Sequence, residues 1–111
     1  MERLIEFEKI LIAYLEEFAR ENNRTSDLKY EVLVDKEKKH YQLVRLGWAG
    51  AHNLYSILLH FEIRNNKIWI LQNLTENSVA QELTEKGISP SSIVLGFQPE
   101  HRRPYTGYAV A

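Results

Sequence analysis

The chain has 111 residues, 44% of them hydrophobic, with 14 Lys plus Arg against 15 Asp plus Glu and no cysteine. This length and composition fit one domain, residues 1–111, with an ordinary soluble core. The balanced charge excludes a long-range positive field toward nucleic acid or an anionic membrane. The missing cysteine excludes disulfides, thiol chemistry and cysteine zinc sites, and together with a charged N-terminus and no long apolar run it points to a cytoplasmic protein.

Residues 2–22 carry a helical period. Leu4, Phe7, Leu11, Tyr14, Leu15 and Phe18 fall on one side, and Glu2, Glu6, Lys9, Glu16, Glu17 and Arg20 on the other. Ile5, Ile12 and Ala19 widen the apolar stripe beyond a single seam, as in a helix lying across a sheet. The helix is expected to end at Asn22-Asn23, with asparagine in the left-handed cap position.

From Tyr30 the period becomes two, with Tyr30, Val32 and Val34 on one face. Residues 35–39 read as a charged turn, and residues 40–48 alternate Gln42, Val44 and Leu46 with Tyr41, Leu43 and Arg45. Gly47 and Gly50 mark a bulge or tight turn. Residues 54–73 then form a hairpin around Asn65-Asn66, which tolerate the positive φ of a type I′ turn. Arg64 is set opposite Lys67, Ile63 opposite Ile68, Phe61 opposite Ile70 and Leu59 opposite Gln72, giving one apolar face. The other face carries Leu58, His60, Glu62, Trp69 and Leu71. Short connections join four strands into an antiparallel meander.

Ser78-x-x-Gln81 has the form of a capping box, with Thr75 a rival cap, and predicts a short helix over residues 78–86 that buries Val79, Ala80 and Leu83. Gly87 fits its C′ position and Pro90 prevents continuation. Residues 93–97 read as a buried extended segment and residues 105–111 as a last strand. The fold class is therefore α+β: a long N-terminal helix on a four- to five-stranded, mainly antiparallel sheet, with a short second helix and a C-terminal strand.

Among candidate sites, His60 and Glu62 share a strand face, a pattern that can bind a metal or move protons. Further ligands have no source in the spacing, because His40, His52 and His101 stand isolated, so hydrogen-bonded or contact residues are the plainer reading. Asp35, Glu62 and Arg64 resemble a two-carboxylate nuclease motif, but nothing in the spacing makes the acids converge on an ion. His101, Arg102, Arg103 and Tyr105 form the basic cluster with an adjacent aromatic, fit to clamp phosphates or a partner's carboxylates. Three cations, His101 included, fall short of a DNA footprint, which favours a protein partner. Trp48 and Trp69 are read first as packed strand residues. With the long helix on the Phe61 side, Leu58, Trp69 and Leu71 need the short helix, the C-terminal strand or another subunit to cover them, which makes Trp69 a candidate anchor for self-association.

His40-Tyr-Gln-Leu-Val, Gly47-Trp48, His60-Phe-Glu-Ile, Lys67-Ile-Trp-Ile-Leu-Gln-Asn, Thr75-Glu76, Glu82-Leu83, Gly87-Ile88, Ile93-Val-Leu-Gly-Phe97 and Arg103-Pro-Tyr-Thr-Gly-Tyr-Ala-Val-Ala111 occur in this order. Together they closely resemble the XisI family, the fdxN-element excision controlling factors, over essentially the whole chain. The chain departs from the family at Ala49 and Asn53, where relatives often show an aspartate and an arginine. The resemblance implies an accessory protein of programmed DNA rearrangement in cyanobacteria, acting with an XisF-like site-specific recombinase and a nuclease-like XisH-like protein. It carries over no catalytic residue.

The expected function is thus regulatory and non-enzymatic, by protein–protein contact, with a homodimer allowed and DNA contact weak or indirect. A directly DNA-binding directionality factor would require Arg102, Arg103, Lys36, Lys38 and Lys39 on one surface. A metal-dependent nuclease subunit would require Asp35, His60 and Glu62 within coordination reach. The expected contact residues are His60, Glu62, Trp69, Leu71, Arg102, Arg103 and Tyr105, with no catalytic, metal or cofactor residues assigned.

Overall fold

The computed structural model describes residues 2–111; Met1 and the side chain of Glu2, placed above on the polar side of the helix, lie outside the described residues. Helix α1 runs over Glu2–Asn23 and is followed by β1 (Lys29–Asp35), β2 (His40–Ala49), β3 (His52–Arg64), β4 (Lys67–Asn73), α2 (Val79–Glu85) and β5 (Ile93–Leu95). The sheet order is β1-β2-β3-β4-β5, antiparallel through β4, with β5 parallel to β4. The architecture is α+β, as the periodicities predict. Among the described residues, no helix is long and apolar enough to cross a membrane.

One face of the sheet holds the main core. Phe7, Leu11, Tyr14, Leu15 and Ala19 of α1 pack with Tyr41, Leu43, Leu59, Phe61, Ile63, Ile68 and Ile70 of the sheet, and Val79 and Leu83 of α2 join the same cluster. Ile5 departs from the predicted stripe and is 56% exposed. Two buried phenols pin the layers together. Tyr41 donates to Glu8 of α1 (2.6 Å) and Tyr14 donates to Glu82 of α2 (2.5 Å). Burial first, then the bond to each glutamate, pushes both phenols far above their ordinary pKa, so each stays a donor.

Two bulges shape the sheet. Ala49 to Val44 pair with His52 to Ile57, but Leu43 then pairs with Leu59, leaving Leu58 as an extra residue in β3. In β4, Ile70 opposes Phe61 while Gln72 opposes His60, leaving Leu71 extra. The predicted hairpin register therefore holds from Arg64 to Phe61, and Leu59 faces Asn73 instead of Gln72. The reason is hydrogen bonding at the bulges: the Gln72 side-chain amide donates to the Ile57 carbonyl, and the Leu74 amide donates to the Leu58 carbonyl (2.8 Å). The second of these is the regular ladder bond flanking the Leu59–Asn73 pair, and the first adds a side-chain tie between β4 and β3 beside the bulge.

Asn65 and Asn66 take φ of 52° and 62°, the I′ pattern expected. The β2–β3 connection is the two-residue turn Gly50-Ala51. Local chemistry differs from expectation at both helix ends. Asn22 and Asn23 do not adopt positive φ; the Asn22 side chain donates to the Phe18 carbonyl (2.8 Å), and Asn23 turns outward to β1. Ser78 is the N-cap of α2 but its side chain makes no capping bond, so the capping box is not formed. Instead Asn73, Thr75 and Asn77 bond among themselves ahead of the helix. At the other end, Gly87 with φ 106° donates to Thr84 and Ile88 donates to Leu83, closing the helix with buried Leu83 and Ile88 as the apolar pair of a Schellman motif.

The predicted C-terminal strand is replaced by a 3-10 helix over Glu100–Tyr105 and a single bridge from Ala109 to Val94. β5 has only three residues, so its outer edge offers a short ladder and takes one return contact, Ala109 amide to Ile93 carbonyl (2.8 Å).

Phe61→Ala should cost about 3–5 kcal/mol, because Phe61 is fully buried in the main cluster. Tyr41→Phe should cost about 1–2 kcal/mol by leaving the Glu8 carboxylate without its donor. Urea unfolding of both variants checks the order and size of these losses.

Candidate functional site on the outer sheet face

The face of the sheet away from the helices carries His40, Gln42, Val44, Leu46 and Trp48 of β2. Opposite them in β3 stand Glu62, His60, Ile57, Tyr55 and Asn53. The Leu58 bulge makes this set. Without it, His40 would oppose Phe61; with it, His40 faces Glu62 and Gln42 faces His60. The sequence reading missed His40 for this reason, since no short-range spacing signals a bulge.

A row of polar contacts crosses this face. His40 Nδ1 lies 2.9 Å from His60 Nε2, so one ring donates and the other accepts. His40 Nε2 lies 3.6 Å from Glu62 Oε2, and Glu62 Oε1 accepts from Arg64 at 2.6 and 3.2 Å. The Arg64 guanidinium in turn stacks 4.3 Å from the Trp69 ring. On the same ring, at 5.2 Å, sits the guanidinium of Arg103. Arg103 also donates to the carbonyls of Gln98 (3.2 Å) and Val110 (3.4 Å), tying the C-terminal segment into a loop over Trp69.

Trp69 is 7% exposed, and Val44 and Val94 beside this face are also buried. The chain thus covers Trp69 itself, through its own C-terminal segment. Gly96 allows the approach: a Cβ there would meet the Ile70 carbonyl, Leu71 and Trp69 at 3.2 Å each. Leu71 is half-buried beneath the same segment, whereas Arg102 and Tyr105 project from it, Tyr105 at 89% exposure. Of the expected contact residues, the fold therefore joins His60, Glu62, Trp69 and Arg103 in one row, keeps Leu71 next to it, and leaves Arg102 and Tyr105 outside.

The upper half of the outer face has no such cover. Trp48 and Tyr55, from adjacent strands, are each 65% exposed. Trp48 thereby departs from the packing role expected of it, because it stands past Gly47 near the tip of the β2–β3 hairpin, beyond the reach of the C-terminal segment. Ala49 and Asn53, where the chain departs from its family pattern, lie at the same tip, Asn53 directly opposite Trp48.

Chemically, the His40–His60 pair can hold and exchange a proton. Among the described residues, no group of three His, Asp or Glu side chains is placed to hold a metal ion. Asp35 opposes His40 across β1–β2 and its carboxylate caps the Lys38 amide in the turn (2.9 Å). Lys39 joins β3 through the bond from the Ile63 amide to its carbonyl (3.0 Å), while Arg103 is committed to Trp69 and to backbone carbonyls.

Burial, and then the charge of His40, lowers the His60 pKa, with Glu62 opposing. The unfolded chain consequently binds a proton at this site before the folded one does. The stability from neutral His60 is present above about pH 6.5 and is lost as pH falls through the depressed folded value. His60→Gln, which keeps an acceptor for His40, should flatten the decline of the melting temperature on acidification below about pH 6.5, read by calorimetry. Arg103→Ala should raise amide hydrogen exchange across residues 97–110 while leaving β1–β4 protected, read by mass spectrometry.

Comparison with known proteins places this architecture. The family described as XisI protein matches residues 1–110. The crystal structure of a XisI-like protein from Anabaena variabilis ATCC 29413 is 35% identical and superposes with a TM-score of 0.90, covering 97% of this chain and 99% of the other. That of the fdxN element excision controlling factor XisI from the same organism is 24% identical, with a TM-score of 0.82, covering 98% and 99%, and shares the fold. None of the curated proteins matches. A family match over nearly the whole length, joined to a solved relative at 35% identity with the same fold, shows that this chain belongs to the XisI family.

Proposed function

We propose that this chain is a non-catalytic accessory factor of programmed DNA excision, acting in the cytoplasm by contact with a recombinase or a nuclease-like partner of the XisF and XisH kinds. Family membership supports the excision context. The observation that carries the contact mode is the upper half of the outer sheet face, where Trp48 and Tyr55, diagonal neighbours on adjacent strands, are each 65% exposed. Exposed aromatic pairs on a rigid sheet are the residue types that dominate protein–protein binding energy. The row His60, Glu62, Arg64 and Trp69 lies on the same face toward the other end of the strands, and Arg102 and Tyr105 on the C-terminal segment are further proposed contacts.

The near-neutral charge argues against autonomous DNA binding, and Arg103 spends its guanidinium on Trp69 and on backbone carbonyls. Gel retardation by the pure protein at physiological salt should show at most non-specific binding, with Kd of about 10⁻⁴ to 10⁻⁶ M. Sequence-dependent retardation at nanomolar protein would overturn this reading.

For the partner contact, the product of the neighbouring gene is the bait. Retention of the wild type is expected, with loss of at least about ten-fold in affinity for Trp48→Ser combined with Tyr55→Ser, since each hot-spot aromatic contributes more than about 1 kcal/mol. A double variant that folds, by circular dichroism, and is retained as well as wild type would move the contact elsewhere.

A further inference from the structure

The two edges of the sheet are treated differently. The β5 edge is closed by the return of Ala109 onto Ile93 and Val94. At the other edge, β1 pairs only with β2, and alternation along its ladder turns the amides and carbonyls of Tyr30, Val32 and Val34 outward. Those of Tyr30 are held by a side chain: Asn23 Oδ1 accepts from the Tyr30 amide (2.8 Å) and Asn23 Nδ2 donates to the Tyr30 carbonyl (3.0 Å). Asn23 thus makes the two bonds that a neighbouring strand residue would make. Leu33 and Val34 are exposed on this strand. An open groove of about 720 Å³ runs beside it, lined by Glu16, Ala19, Arg20 and Asn23 of α1, by Arg24 just after it and by Val32.

We infer that the β1 edge is the interface with a second copy of this chain, the two β1 strands pairing antiparallel about a two-fold axis at Val32 to make one ten-stranded sheet. Charge selects this occupant and this register. With Val32 opposite Val32 of the second copy, Lys29, which also pairs with Glu31 of its own strand (3.0 Å), stands opposite Asp35 at both ends, Tyr30 opposite Val34, and Glu31 opposite Leu33, so no like charges stand directly opposite each other. Shifting the axis one residue to Leu33 sets Glu31 against Asp35, an acidic pair that disfavours it. In the Val32 register the inward side chains Tyr30, Val32 and Val34 of each copy lie toward the other's groove. The same axis runs the two α1 helices antiparallel. Asn23 yields the Tyr30 backbone groups to Val34 of the second copy, so its side chain competes with the dimer and keeps the edge satisfied in the monomer.

Light scattering coupled to size exclusion, with sedimentation velocity over a range of concentrations, tests this. The wild type should move from 13.0 kDa toward twice that mass as concentration rises. Lys29→Asp should raise the dissociation constant by about ten-fold or more through two like-charge pairs. Adding Asp35→Lys should restore association. Asn23→Ala should tighten the dimer. Val34→Pro, which removes an outward amide and leaves the β1–β2 ladder intact, should abolish it. A wild type that stays at 13.0 kDa at millimolar concentration overturns the inference, as does a dimer indifferent to Lys29→Asp and Val34→Pro in variants whose melting temperatures show them folded. A dimer lost instead with Trp48→Ser would assign self-association to the outer face and overturn it too. Partner retention by Val34→Pro reads the outer face independently, so the failure of one proposal leaves the other standing.

Discussion

The extra residue at Leu58 is the constraint on which the rest of the sheet depends. Side chains alternate along a strand, so one inserted residue exchanges the faces of everything beyond it. Leu59, Phe61 and Ile63 point to the helices, while Tyr55 and Ile57, of the same parity, point away. A regular β3 would either bury Tyr55 or expose Phe61. The bulge keeps the apolar half of the strand in the core and turns an aromatic side chain outward near the hairpin tip. Beside it, the Gln72 side-chain amide donates to the Ile57 carbonyl and the Leu74 amide keeps the Leu58 carbonyl in the β3–β4 ladder.

From that bulge follows a sheet with two unequal faces. Both helices share the inner core, and buried Tyr41 and Tyr14 lock them to it through charge-assisted bonds to Glu8 and Glu82. On the outer face the C-terminal segment folds over Trp69 and Val44 at mid-strand is buried as well, whereas Trp48 and Tyr55 stand exposed. Two guanidinium groups stack on that one indole, Arg64 from its own hairpin and Arg103 from the segment. Such stacking suits arginine, whose planar, weakly hydrated head keeps its donors free in plane; here those of Arg103 reach Gln98 and Val110. The segment is therefore held by a few directional contacts and one short bridge, a weaker attachment than a full strand would make.

The polar row from His60 to Arg64 links the covered corner to the open half of the same face. Its members lie on neighbouring strands, and each hydrogen bond fixes the rotamer of the next. This gives the outer face a rigid, partly desolvated centre flanked by exposed aromatics, with hydrogen-bonding groups already oriented.

The α1 stripe, the strand alternations, the Asn65-Asn66 turn and the Gly87 stop were legible in the sequence because each is set by residues a few positions apart. The combined motifs likewise carried the family. The partners of His60 were not legible: His40 is twenty residues away, and its side of the sheet is decided by a bulge whose energy depends on core packing across strands. Trp69 and Trp48 illustrate the same limit. Both read as strand aromatics, yet one is roofed by Arg64 of its own hairpin and Arg103 of the distant C-terminal segment, and the other stands exposed near the β2–β3 tip. Local chemistry determined which elements form. Which faces they show, and which side chains meet on them, was decided only by long-range register and by the path of the C-terminal segment, where non-local packing outweighs local preference.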